Sequence, residues 1–117
     1  EEAARFVGSF GLLSFERVGE AAGEGPVFTE GMLSYDASGH VSVHLTNGEH
    51  YLAYYGRYYV NVSRGVVQHA VDSGSQPNVR DRTLSHSYEL ADEGDTLVLS
   101  LTGDDGVESR ATWQRHR

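Results

Sequence analysis

The sequence predicts an all-β fold, an eight-stranded antiparallel up-and-down β-barrel, on three observations. Short runs rich in Val, Leu, Tyr and Thr alternate between apolar and polar with a period of about two, not the roughly 3.6 of a helix. Gly, Asp, Asn and Ser turn signals recur about every 8–14 residues, the spacing of sandwiches and barrels. There are 14 glycines and two prolines, and most of the glycines punctuate the apolar stretches, where tight turns need them. The connections are mostly too short for parallel crossovers, so successive strands form a meander, which closes to remove its edges.

The elements follow in order. Strand one, 6–18, is long enough to suggest a bent or bulged strand, with Gly8 and Gly11 as the places to bend. A glycine- and acid-rich loop, 19–26, leads to strand two, 27–35, and the turn Asp36-Ala37-Ser38-Gly39 leads to strand three, 40–46. Asn47-Gly48 is a strong turn signal, and 49–55 reads as a short helix or a loop. Strand four spans 55–62 and is closed by Ser63-Arg64-Gly65; strand five spans 66–73. A longer connection containing Pro77 and Asn78 precedes strand six, 82–90. Asp92-Glu93-Gly94-Asp95 turns into strand seven, 96–102, and Gly103-Asp104-Asp105-Gly106 into strand eight, 107–115. A barrel of eight strands has an interior wide enough for packed side chains or one small ligand.

Composition bounds the chemistry. The 117 residues suit one domain, 1–117. With 9 basic and 17 acidic residues the net charge is −8, which argues against a nucleic-acid partner. All the basic residues are arginine, so Schiff-base and phosphate-loop lysine chemistry is excluded. The absence of cysteine excludes disulfides, thiolate metal sites and cysteine nucleophiles, and fits a cytoplasmic location. No apolar run approaches a membrane span and no signal peptide is visible, so no membrane partner is expected. Hydrolase, phosphate-binding, dinucleotide and zinc-protease motifs are absent. The acidic clusters at Asp92-Glu93-Asp95 and Asp104-Asp105, and Glu20 and Glu24, read as solvated turns and loops.

Several segments together resemble a known family. Val7-Gly8-Ser9-Phe10-Gly11-Leu12-Leu13-Ser14-Phe15-Glu16 is similar to the opening strand of the bacterial lipocalin-like domain proteins. Gly31 to Val43 is similar to their second hairpin, and Tyr51-Leu52-Ala53-Tyr54-Tyr55-Gly56-Arg57-Tyr58 to a further recurring segment. Val67-Gln68-His69-Ala70-Val71, then Ser75, Pro77, Asn78, Arg82 and the Leu90…Gly94-Asp95-Thr96-Leu97 turn continue the series, and Trp113 stands where the family has a tryptophan near its end. Phe10 replaces the family's first-strand tryptophan, and Gln68 replaces a second histidine common beside His69. The resemblance implies a lipocalin-like barrel. It also implies binding of an apolar small molecule, and an analogy to cofactor-free cyclases or isomerases of natural-product and antibiotic biosynthesis.

The candidate site comes from strand parity. Of the six histidines, His40 and His44 lie about 13 Å apart on one strand face, too far for one metal, so no metal or other cofactor is expected. Val67, His69 and Val71 share a face that reads as interior, as do Arg82, Leu84, His86, Tyr88 and Leu90. Gly56, Tyr58, Val60 and Val62 face inward by the same logic. His69 or His86 would then serve as general acid/base, with Tyr58 orienting or donating, and Arg82 would hold a carboxylate or enolate oxygen. Tyr88, Tyr54, Phe10 and Trp113 complete the expected ligand-binding set. The competing reading is a barrel filled by its own hydrogen-bonded side chains, a non-catalytic module that dimerises or binds a protein; a lumen above about 300 Å³ supports the ligand-binding reading, and a packed lumen sinks it. Tyr55 and Tyr59, on the face opposite Tyr58 with Arg57, and Leu13 and Phe15 if turned outward, would make a homodimer patch. Tyr51 and Tyr54 would alternatively form a lid over the barrel mouth.

Overall fold

A computed structural model describes residues 2–18, 27–75, 81–102 and 107–116. The strands are β1 (Gly8–Val18), β2 (Glu30–Tyr35), β3 (His40–Thr46), β4 (Tyr51–Asn61), β5 (Val66–Gly74), β6 (Thr83–Ala91), β7 (Thr96–Thr102) and β8 (Glu108–Arg115). They follow chain order around a closed barrel, each antiparallel to the next, and β8 returns to pair with β1 from Phe10↔Arg115 to Val18↔Glu108. The expected all-β, eight-stranded up-and-down barrel is the observed fold. Among the described residues no helix is long and apolar enough to cross a membrane. The expected loops at 19–26 and 103–106, and the connection through Pro77 and Asn78, lie outside the described residues.

The bounds of β3 and β7 are those expected. Of the segment read as helix or loop at 49–55, residues 49 and 50 lie in the turn and the rest is instead the start of β4, paired with β3 from Tyr51↔Thr46 to Arg57↔His40. The Asn47 side chain explains the early start: its Oδ1 accepts from the Glu49 and His50 amides, so the turn is complete before residue 51. At the other end of β4, Val62 leaves the sheet in a short 3-10 turn (Val62–Arg64) and is exposed, not inward. Phe6, expected in strand one, follows a 3-10 turn at Glu2–Arg5 and is fully buried at one end of the barrel.

β1 is bulged as expected, but the bulge falls at neither Gly8 nor Gly11. Its register against β8 slips between Leu12 and Ser14, leaving Leu13 as an extra residue. A one-residue slip exchanges the two faces of a strand. Phe10 and Leu12 therefore turn inward before the bulge, and Phe15 and Arg17 after it. Phe15 packs edge to face on Phe28, with centroids 5.2 Å apart, while Leu13 stays exposed, so the expected Leu13 and Phe15 patch does not form. A second slip, between Tyr55 and Gly56 against β5, makes Asp72 the extra residue there.

One end of the barrel is packed shut. Phe6 meets Tyr35 and Tyr88 edge to face at 5.3 and 5.0 Å, and Tyr35 meets Tyr58 at 4.7 Å. Arg115 locks this plug. Its guanidinium lies 4.6 Å from the Phe10 ring centroid and donates to the carbonyls of Val7 (2.7 Å), Gly94 (3.0 Å) and Arg5. The opposite end receives the C-terminal ends of β1, β3, β5 and β7.

Candidate functional site

A cavity of about 870 Å³ occupies the lumen beyond the plug. Its wall is mainly apolar, with Phe15, Phe28, Leu45, Leu99 and Ala111 among its surfaces. The volume lies within the range of small-molecule sites, about 300–1,000 Å³. This volume supports an open lumen over a barrel filled by its own side chains. Gly31 and Trp113 show how space and shape are set. A Cβ at Gly31 would lie 2.6 Å from the His44 carbonyl and 3.4 Å from Trp113 Cη2, so the glycine lets the indole seat against β2.

The polar centre of the lumen is His69, on β5, buried between two tyrosines. Tyr35 Oη lies 2.7 Å from its Nε2 and Tyr54 Oη 2.6 Å from its Nδ1. A neutral imidazole carries one N–H, so one hydroxyl donates to the ring and the other accepts from it. Burial, reinforced by the neighbouring His86, pushes the His69 pKa well below its ordinary value. Burial likewise raises both tyrosines, so the triplet is held uncharged. His86, from β6, lies with its ring 4.4 Å from that of His69. Burial lowers its pKa to about 4, opposed by the nearby backbone of Val67 and Leu84.

The structure divides the sequence-predicted residues by depth. His69, His86, Tyr54, Arg82 and Trp113 all line the cavity. Phe10, Tyr58 and Tyr88 lie instead in and around the plug. Tyr58 faces inward as expected and stands opposite His69 in the β4–β5 register, and its hydroxyl donates to the Asp36 carbonyl at 2.9 Å. Arg82 precedes β6 and is exposed at the mouth. Tyr51 stands at the rim with its hydroxyl 2.7 Å from His44 Nδ1, whereas Tyr54 points into the lumen, so the two do not form a common lid. Tyr55 and Tyr59 are exposed on the outer face. Among the described residues no group of three or more metal-ligating side chains converges.

Two site residues escaped the sequence reading. Tyr35 was signalled only by its position two residues beyond Leu33 on one face of β2. Arg17 was hidden by the Leu13 bulge, which brings it to the inner face.

Among the described residues, three buried polar atoms have no hydrogen-bond partner: Nδ1 of His86, Nε1 of Trp113 and Nε of Arg17. All three residues line the same cavity. Buried polar groups are nearly always paired, so three orphans lining one cavity single out this space.

Comparison with known proteins gives the class, a closed eight-stranded β-barrel. A redesigned β-barrel matches with a TM-score of 0.59 and 13% identity, covering 98% of this chain and 95% of that one. A de novo designed fluorescence-activating β-barrel also matches at 0.59 and 13%, covering 97% and 96%. These likenesses show the fold. No family model and no curated protein matches the chain.

Proposed function

We propose that the protein binds an apolar or aromatic small molecule in its lumen, as a carrier or cofactor-free catalyst of the lipocalin-like kind. The observation that carries this reading is the 870 Å³ cavity with its apolar wall and unpaired polar atoms. A designed barrel of similar fold described as fluorescence-activating is compatible with it. The test uses the neutral probe N-phenyl-1-naphthylamine and the fluorescence of Trp113, the single tryptophan, which lines the cavity. Saturable one-to-one binding is expected. Ala111→Phe, which fills the cavity from a buried wall position, should abolish it. An absence of saturable binding, or undiminished binding by a folded Ala111→Phe, would overturn the proposal.

The pairing of Tyr54 with His69 favours catalysis as a second reading. A tyrosine at the cavity wall, bonded to a neutral imidazole, can pass a proton to or from a ligand without a cofactor. His69→Gln and His86→Gln distinguish the two with the small molecule that native mass spectrometry finds retained by the protein from its source. A catalyst loses turnover and keeps binding, whereas a carrier shows no turnover to lose.

A further inference from the structure

Resting on the lumen-binding reading, we propose that the ligand is an elongated carboxylic acid. Its acid group would sit at Arg17 and a neutral hydrogen-bonding oxygen at Trp113 and His86. Arg17 stands near the open end of β1, opposite Ser109, and its inward side chain lines the cavity. Its Nε is buried, and among the described residues no acid or carbonyl accepts from it. A buried guanidinium nitrogen without an acceptor is costly, and a carboxylate is the partner the planar fork fits best. The surroundings point the same way. Among the described residues no Asp or Glu lines the cavity, and the arginines lining it are Arg17 and Arg82, in a chain whose net charge is −8. The formal charges on the described lining are therefore positive, which suits an anionic group over a cationic one.

The inner end asks for a different group. Trp113 Nε1 is a donor only, and both it and His86 Nδ1 are unpaired beneath the apolar wall. Neither carries charge at neutral pH, so a hydroxyl or carbonyl oxygen suits them. Trp113 lies four residues along β8 from Ser109, the partner of Arg17, which sets the two ends about 13 Å apart along the strand. An acid group and an oxygen separated by an apolar spacer of about that length would satisfy every orphan at once.

The test compares dodecan-1-ol, dodecanoate and 12-hydroxydodecanoate as competitors of N-phenyl-1-naphthylamine. Dodecanoate should bind about tenfold or more tightly than dodecan-1-ol, the scale of a charge-assisted hydrogen bond. Arg17→Gln should erase that preference, and saturable binding of the neutral probe by the same variant, at whatever affinity, shows that it is folded. The hydroxy acid should bind several-fold tighter than dodecanoate, and Trp113→Phe should remove that gain alone. If the neutral probe binds but acid and alcohol compete equally, or Arg17→Gln leaves the preference intact, the inference fails and the lumen-binding reading stands. If the neutral probe does not bind, both fall.

Discussion

The hydroxyl of Tyr54 lies 2.6 Å from Nδ1 of His69, and this bond joins the cavity wall to the packed end of the barrel. His69 passes the connection on to Tyr35, whose ring is part of the plug. Removing either hydroxyl leaves one imidazole nitrogen unpaired. The Tyr35 side is sealed within the plug, whereas the Tyr54 side borders the cavity, where water can replace the lost partner. Tyr35→Phe should therefore lower stability by about 2 kcal/mol and Tyr54→Phe by about 1 kcal/mol, within the range for orphaned buried groups. Urea unfolding of the two variants checks the order, and a larger loss in Tyr54→Phe would contradict it.

The same burial fixes a pH dependence. His69 and His86 are neutral in the barrel, and the pKa of His86 falls from 6.5 to about 4. Below pH about 6.5 the unfolded chain binds protons that the folded barrel excludes, so stability falls with pH. The loss from His86 levels off once the pH passes its folded value near 4. From pH 7 to pH 5 His86 alone should remove about 2 kcal/mol, and His69 adds a loss of the same sign. Urea midpoints at pH 7 and pH 5 measure this. His86→Gln should flatten the dependence by roughly half, and a midpoint independent of pH would show that the histidines are not excluded from charging.

The period-two pattern was enough to place His69 and His86 inside, because parity along one strand needs no knowledge of its neighbours. Depth along the barrel is not in that pattern. Tyr54 and Tyr58 share one face of β4, yet one borders the cavity and the other joins the plug, according to which end of the strand each occupies. The Tyr35–His69 contact links β2 and β5, which are not neighbours in the sheet, so it crosses the lumen and no strand pairing foretells it. Arg17 illustrates a third limit. A single bulge at Leu13 reverses parity, and nothing in the alternation of apolar residues announces where the extra residue falls.

Gly56 faces the second bulge at closer range than any side chain allows. A Cβ there would lie 2.0 Å from the Ala70 carbonyl oxygen and 3.0 Å from the Asp72 amide nitrogen. Both atoms are backbone, so no rotamer change relieves the clash; β5 would have to move away from β4. Gly56→Ala should cost about 3 kcal/mol, at the upper end for overpacking. Gly48→Ala is the contrast. It has nothing within 4 Å and only its φ of 93° to oppose it, and should cost about 1 kcal/mol. Equal thermal shifts for the two would rule out backbone crowding as the cause at Gly56.

Arg115 gathers carbonyls that lie far apart in the chain, Arg5 and Val7 before β1 and Gly94 in the β6–β7 turn, while covering Phe10. Arg115→Met keeps much of the apolar stem and removes all of these donors. Charge-assisted bonds exceed neutral ones in strength, so a loss of about 2–3 kcal/mol is expected. The damage should be local to the plug. Hydrogen exchange should rise at Phe6 and Val7, whose segment is held to the barrel by this residue, and stay unchanged across β3, on the side away from it. The distant cavity should keep its affinity for N-phenyl-1-naphthylamine. A variant that loses probe binding while still folded would show that damage at Arg115 spreads beyond the plug, along the Tyr35–His69–Tyr54 chain.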